Sequence, residues 1–272
     1  MAYVKSAPAA QPQAAQVEAA GLRWLAEAEA RGGAAVVGVQ RAAPGRLELE
    51  EIIPASADQT AAERFGAGLA RTHRSLPGDA RFGQLPGQHP EGAPPLFGPA
   101  DQPIVVGSGL HDSWGAFHAQ ERLDPVLDQL RPRLPAEEQR LLAAARDRIG
   151  AGDFDDAESP SRLHGDLWSG NVLWRRGAEE EQGKRSAEAV LIDPAAHAGH
   201  RESDLALLEL FGLPHLDAVL EAYDRTAPLR PGWKDRVPVH QLFYLAVHWL
   251  LFGPGYQRAT LAAAEQTLAL RV

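Results

Sequence analysis

The chain has 272 residues, 44% of them hydrophobic and 23% charged, an ordinary globular composition long enough for one large or two modest domains. A net charge of −9 argues against a nucleic-acid-binding face, which needs a basic surface. The absence of cysteine excludes disulfides, thiol nucleophiles and Cys-ligated zinc. With no apolar run long enough to span a bilayer and no basic-then-apolar start, neither a membrane nor an export signal is expected, and a cytoplasmic setting follows.

In chain order, Val4-Lys5 stands in a short extended start before a Pro- and Ala-rich link. Residues 17–30 read as a helix with Leu22, Trp24, Leu25 and Ala28 at three- and four-residue spacings. Glu18 shares the face of Leu22 and Leu25 and therefore points inward. Residues 34–39 and 47–53 read as two strands joined by a turn through Pro44-Gly45. Residues 60–73 read as a helix, with Phe65, Leu69 and His73 four apart. Gly66 and Gly68 lie inside that helical pattern with no strand before them, so they do not read as a phosphate-binding loop. Residues 76–109 are rich in Pro and Gly and read as a long surface loop. Trp114, Phe117, Leu123, Val126 and Leu127 mark a further helix, and residues 134–149 another, with Pro135 near its first turn. The seven-residue spacing of His111 and His118 is compatible with one helix face, but no third ligand accompanies them.

The stretch Leu163-His164-Gly165-Asp166-Leu167-Trp168-Ser169-Gly170-Asn171 carries the most chemical information. Asp166 and Asn171 form D-x-x-x-x-N behind His-Gly, the layout of a kinase catalytic loop, where the aspartate accepts a hydroxyl proton and the asparagine holds a metal ion. A hard cation such as Mg2+ takes one or two carboxylates together with substrate phosphates, and Asp193 supplies a second oxygen ligand. The apolar runs at 172–174 and 190–192 read as arms of a β-hairpin that returns Asp193 to Asn171. Between them, the polar insert 175–189 is expected to be a solvated, mobile tip. Beyond Asp193, His197 and His200 read as loop residues. A helix follows at 205–211, capped by Ser203 or Asp204 and stopped at Gly212, then amphipathic helices at 216–226 and 239–252.

Three segments, His164 to Asn171 as HGDLWSGN, Ile192-Asp193-Pro194-Ala195, and Glu202-Ser203-Asp204-Leu205-Ala206 running on to Gly212, resemble the fructosamine kinases, also called ketosamine 3-kinases, of the aminoglycoside phosphotransferase and protein-kinase-like group. The Leu-Trp-Ser-Gly insert and Asp-Pro-Ala are the more specific parts, and the resemblance runs with gaps from Val4 to about Tyr256. It implies a two-lobed α/β (α+β) protein-kinase-like fold, with a small mixed lobe over residues 1–53 and a larger, mainly helical lobe over 54–272. The group's opening strands and glycine-rich loop have no counterpart before Tyr3, so the small lobe is expected to lack its first strands. The resemblance further implies ATP and Mg2+ as cofactors and phosphorylation of the sugar O3 of a ketosamine, such as a ribulosamine or fructosamine adduct, which frees the amine.

Residue by residue, the resemblance implies Asp166 as catalytic base and Asn171 and Asp193 as metal ligands. Lys5, held by Glu18, would contact the ATP phosphates, and the backbone at Glu50, Glu51 and Ile52 would meet the adenine edge. His164 and Asp204 would support the loop, with Trp168 and His248 on the acceptor side, where Tyr244 and Trp249 are also candidates. The expected partner is a small or protein-bound ketosamine, with neither nucleic acid nor membrane. Two rival readings are a phosphotransferase for another small hydroxyl compound, such as an aminoglycoside or choline-like molecule, and a catalytically silent pseudokinase that binds a partner or nucleotide.

Overall fold

The computed structural model describes residues 2–99, 102–181 and 184–271, with the side chains of 178–186 outside the described set. Strand β1 (Ala2–Ser6) is followed by helix α1 (Ala14–Ala26), strands β2 (Ala35–Val36), β3 (Val39–Ala43) and β4 (Arg46–Glu50), and helix α2 (Gln59–His73). β4 lies between β1 and β3, antiparallel to both, with Lys5 opposite Leu47. Leu47 and Leu49 alternate inward, as a half-buried strand requires, and share a core with Ala15, Ala19, Leu22 and Leu25 of α1.

The single strand expected over 34–39 is two. β2 pairs in parallel with a later hairpin strand, whereas β3 joins the small sheet. The backbone changes partners between them: the Val37 N–H donates to the Leu191 carbonyl, and the Gly38 carbonyl accepts from the Glu50 N–H. The crossing is tight, since a Cβ on Gly38 would stand 3.2 Å from Glu50 Oε2.

Among its described residues, the loop after α2 contains two short paired strands, β5 (Leu96–Phe97) and β6 (Ile104–Val105). Helix α3 (Trp114–Phe117) continues through a π-helical segment (His118–Leu123) into α4 (Asp124–Leu130), and α5 (Ala136–Gly150) follows. His111 is not on that helix; it bridges to Phe82 and its Nε2 lies 2.9 Å from Glu121 Oε1, while His118 is buried against Trp114.

Next come β7 (Ser161–Leu163), the hairpin β8 (Val172–Glu181) and β9 (Lys184–Leu191), β10 (His197–Gly199), α6 (Glu202–Phe211), α7 (Leu216–Thr226), α8 (Trp233–Phe252) and α9 (Gln257–Ala269). Much of the insert expected to be a mobile tip continues the hairpin. Arg175 pairs with Glu188 and Arg176 with Ala187 in register, and Ala187 and Ala189 are buried in the core. Small residues alternating with charged ones fit a strand covered on one face. The expected tip itself, at 182–183, lies outside the described residues. α9 had no sequence signal because its buried face, Thr260, Ala263, Ala264 and Thr267, is made of small residues with little hydrophobic contrast.

Two hydrophobic cores result. One gathers α1, the small sheet, α2, the β8–β9 hairpin and α7; the other gathers Phe82, Phe97, α4, α5 and α8. Residues 1–53 and 54–272 thus share the first core. Gly66 has a packing reason, since a Cβ there would fall 2.0 Å from the Val219 carbonyl oxygen where α2 crosses α7. Among the described residues no helix is long and apolar enough to cross a membrane.

Candidate active site

The loop after β7 turns sharply at Gly165, whose φ is +82° and whose Cβ, if present, would stand 2.2 Å from the Ala195 carbonyl oxygen. Only glycine fits both constraints. Behind the turn, Asp204 is fully buried and accepts the N–H groups of His164 at 2.8 Å and Gly165 at 2.9 Å. His73 Nε2 is 3.1 Å from the same carboxylate, and His73 Nδ1 is 2.8 Å from Tyr223 Oη. Burial opposes the Asp204 charge, but the hydrogen bond and charge of His73 prevail and hold its pKa below the usual carboxylate range.

This geometry corrects the expected helix cap. α6 starts at Glu202 with Arg201 at the N-cap, and the Asp204 carboxylate serves the loop instead of its own helix. His73, on the helix read over 60–73, is fully buried and joins this network.

His164 braces the loop from the other side. Its Nε2 meets the Ile192 carbonyl at 2.8 Å, and the Asp166 N–H donates to its Nδ1 at 3.3 Å. Burial lowers the imidazole pKa, consistent with a neutral ring that donates at one nitrogen and accepts at the other. Asn171 Nδ2 donates to the Asp166 carbonyl at 2.8 Å, to Asp166 Oδ2 at 3.1 Å and to the Asp193 carbonyl at 3.4 Å. The amide nitrogen is thus committed to the loop, and Oδ1 is the donor atom left for a cation.

Asp193 sits in the left-handed region at φ 54°, a conformation that costs a non-glycine residue about 1–2 kcal/mol and collects at functional sites. Its carboxylate accepts Lys5 Nζ at 2.8 Å, and the same ammonium reaches both Glu18 oxygens at 2.9 Å. Burial disfavours the Lys5 charge, but Glu18 and Asp193 outweigh it and raise its pKa. Burial also pushes the Glu18 carboxyl up, against the pull of Lys5. Desolvation pushes Asp166 up to about 7, with the Asn171 hydrogen bond opposing and the Asp193 and Asp204 charges adding. A base near neutrality suits proton acceptance from a hydroxyl. The Asn171 amide oxygen and the Asp193 carboxylate are the donor set a hard cation such as Mg2+ prefers.

These groups line a cavity of about 250 Å³. Lys5, Glu18, Asp166, Asn171 and Asp193 all reach it, as do Trp168 and His248, so seven of the residues singled out from the sequence meet in one place. Glu50, Glu51 and Ile52 do not line it. The Glu50 N–H is committed to the Gly38 carbonyl and its carboxylate to Arg175 at 2.9 Å. Tyr244 and Trp249 do not line it; both are buried in the second core. Sequence reasoning missed Leu96, Phe97, Pro99 and Phe252 of the lining. The first three sit in an aperiodic loop, and Phe252 ends a helix that is apolar on nearly every side.

Of the two histidines read as loop residues, His200 lies in the turn before α6 and His197 stands in β10, and both are buried. Among the described residues, His200, Glu202 and His240 bring possible ligand atoms within 4.8 Å of one another. Those atoms are already engaged: Glu202 binds Arg236 at 2.9 and 2.5 Å, His240 Nδ1 meets Ser203 Oγ at 2.9 Å, and His200 Nε2 meets Asp156 at 3.2 Å. With a guanidinium in the cluster, it is a hydrogen-bonded network unsuited to a cation.

Residues 1–270 match the family model described as fructosamine kinase. A ketosamine-3-kinase of Mus musculus is 34% identical over 150 residues, covering 55% of this chain and 45% of that protein. A Synechocystis protein assigned provisionally as a ketoamine kinase is 31% identical over 270 residues, covering 98% of this chain and 83% of its own. A crystal structure from Thermobifida fusca, described provisionally as a fructosamine-3-kinase, superposes with a TM-score of 0.81 at 35% identity, over 99% of this chain and 86% of that one. The chain spans about half the length of several curated relatives it matches. A solved gentamicin–APH(2")-IIa complex and a choline kinase from Streptococcus pneumoniae, at 13% and 16% identity, share the fold alone, with TM-scores of 0.55 and 0.58.

Proposed function

We propose, from the premise that this chain belongs to the fructosamine kinase family, that it transfers the terminal phosphoryl group of ATP to the sugar O3 of a ketosamine. The observation that carries the reading is the meeting of Asp166, Asn171, Asp193 and the Lys5–Glu18 pair on one cavity. Asp166, hydrogen-bonded to Asn171, orients the acceptor hydroxyl and takes its proton as the new oxygen–phosphorus bond forms. Lys5, steadied by Glu18, leaves Asp193 to neutralise the phosphates. Asn171 and Asp193 hold Mg2+, which when bound offsets the negative charge of the phosphates and of the transition state. Trp168 and His248 form the acceptor side.

Beyond the cavity, which β4 reaches through Leu47, the backbone of Glu51 and Ile52 receives the adenine edge, and residues 1–53 act as the small lobe against 54–272. Catalysis of this type is positioning and charge neutralisation, which suits a loop fixed by buried hydrogen bonds. Phosphorylation at O3 destabilises the adduct and releases the amine, so the chemistry is deglycation.

The test is ATP-dependent phosphorylation of ribulose-lysine and fructose-lysine by the intact chain, beside Asp166→Asn and a metal-free control. Turnover lost without metal and cut by at least about 10²-fold in Asp166→Asn supports the reading; undiminished turnover in Asp166→Asn removes it.

A further inference from the structure

Resting on the phosphotransfer reading above, we propose that the outer part of the same cavity binds the amine-derived substituent of the acceptor and selects neutral apolar or aromatic substituents over cationic ones. With the reacting hydroxyl at Asp166, the amine nitrogen lies two carbons further along the sugar chain. Its substituent is therefore carried away from the reacting end.

A run of rings begins at the cavity wall beside Asp166. Trp168, two residues beyond the base and 39% exposed, stands edge-on to Phe211 with centroids 6.0 Å apart. Phe211 lies 4.9 Å from His248, which lies 5.3 Å from Phe252. Phe252 is 57% exposed, a large apolar side chain left facing water although it lines the cavity. Leu96, Phe97, Pro99 and Leu251 extend the apolar wall.

Charge is distributed the other way. Among the described lining residues the acidic and basic side chains are Lys5, Glu18, Asp166 and Asp193, all at the reacting end, where Lys5 already pairs with two of the carboxylates. His248 Nδ1 is spent on the Tyr244 carbonyl at 2.7 Å, and burial lowers its pKa. An ammonium group entering the outer part would lose water without gaining a carboxylate among these residues. A neutral hydrocarbon gains from leaving water along the same path. The rings are tilted against one another, by 39° for Phe211 and His248 and 50° for His248 and Phe252. They form a wall and not the facing cage that holds a cation on aromatic faces.

The experiment compares ribulose adducts of hexylamine, benzylamine and 1,5-diaminopentane as substrates of the intact chain, Phe252→Ser and Phe252→Asp. Calorimetric binding of the 3-deoxy form of each adduct runs in parallel. The expected result is kcat/KM at least about tenfold higher for the two adducts whose substituents are uncharged. That ratio narrows in Phe252→Ser and turns toward the diamine in Phe252→Asp. Equal or better use of the diaminopentane adduct by the parent chain overturns the proposal. If no adduct is phosphorylated, the kinase reading fails, and the binding order of the 3-deoxy adducts still decides the pocket: neutral-first sustains it, and a flat or cation-first order overturns it.

Discussion

Asp166 and Lys5 face one cavity from elements anchored in opposite ways. The loop bearing Asp166 is fixed from behind by buried polar groups, Asp204 with its bonds to the His164 and Gly165 amides and to His73, and His164 with its bond to the Ile192 carbonyl. Lys5 stands on β1, an outer strand of its sheet, whose neighbours Tyr3 and Val4 are exposed. It is aimed by the carboxylates of Glu18 and Asp193. The difference teaches that Asp166, the proposed base, is set by the protein's core, whereas the lysine is set by charges at the site itself. Damage on the first side therefore reaches stability as well as chemistry; damage on the second reaches chemistry alone.

The sharpest separation comes from Asp166→Asn. Turnover is expected to fall by about 10²–10⁴-fold, with the melting temperature held or raised, since desolvation makes the native carboxylate costly; a steady-state assay and a thermal melt measure both. Asp204→Ala should break the comparison from the scaffold side. It strands buried N–H groups and His73, costing about 3–5 kcal/mol of stability in denaturant melts, with turnover reduced alongside. Retained stability in that variant would mean the loop is held by something other than the buried carboxylate.

On the opposite side, Lys5→Met is expected to lower kcat/KM by about 10²-fold while shifting stability by no more than about 1 kcal/mol, because the pair is only partly buried and Glu18 is readily protonated. A loss of stability comparable to that of Asp204→Ala would erase the contrast between the two regions.

The smallest effect is graded and comes from pH. Burial holds His240 down to about 4 and His197 down to about 3, whereas the unfolded chain takes up those protons near pH 6.5, a value typical of exposed histidine. The unfolded state therefore binds more protons below that pH, and stability should fall by up to about 1.4 kcal/mol per pH unit for each such histidine. Burial opposes the Glu202 charge, but hydrogen bonds from His240 and Arg236 hold its pKa at about 2. Its stabilisation is present above the unfolded carboxylate value and is lost as pH falls toward 2, the same direction. Asp166 and Glu18, whose carboxyls burial pushes up to about 7, act in the opposite direction between pH 7 and 4, because the folded state keeps their protons. Chemical denaturation between pH 8 and 4 should therefore show a steeper decline on acidification in Asp166→Asn than in the parent chain; a rise on acidification in that variant would contradict the neutral, buried histidines.

Most of the catalytic constellation was legible because its residues are constrained locally. A glycine that must turn at positive φ, an aspartate and an asparagine five apart on one loop, and a hairpin that returns Asp193 are all short-range requirements, and their spacing in the chain records them. Glu18 was legible for the same reason, since helical periodicity fixes which face carries it. The Ser203–Asp204 cap was misread because a carboxylate beside a helix start is locally indistinguishable from a cap. Only the arrival of β7 and α2 gives Asp204 other partners. The 175–189 insert was read as a solvated tip because polar residues carry no periodic signal until α2 covers one side of the hairpin.

What the sequence determined by itself was therefore the family, the grouping of Asp166 with Asn171 and Asp193, and the inward face of the first helix. Tertiary structure decided which buried groups brace the loop, how residues 34–39 divide between two sheets, and which apolar side chains wall the cavity. The physical reason is range. Backbone conformation and helical or strand periodicity are written in neighbouring residues, whereas the partner of a buried carboxylate or the lining of a cavity is chosen by elements far apart in the chain. His73, Asp204 and Tyr223 come together from three separate helices, and no spacing along the chain encodes that meeting.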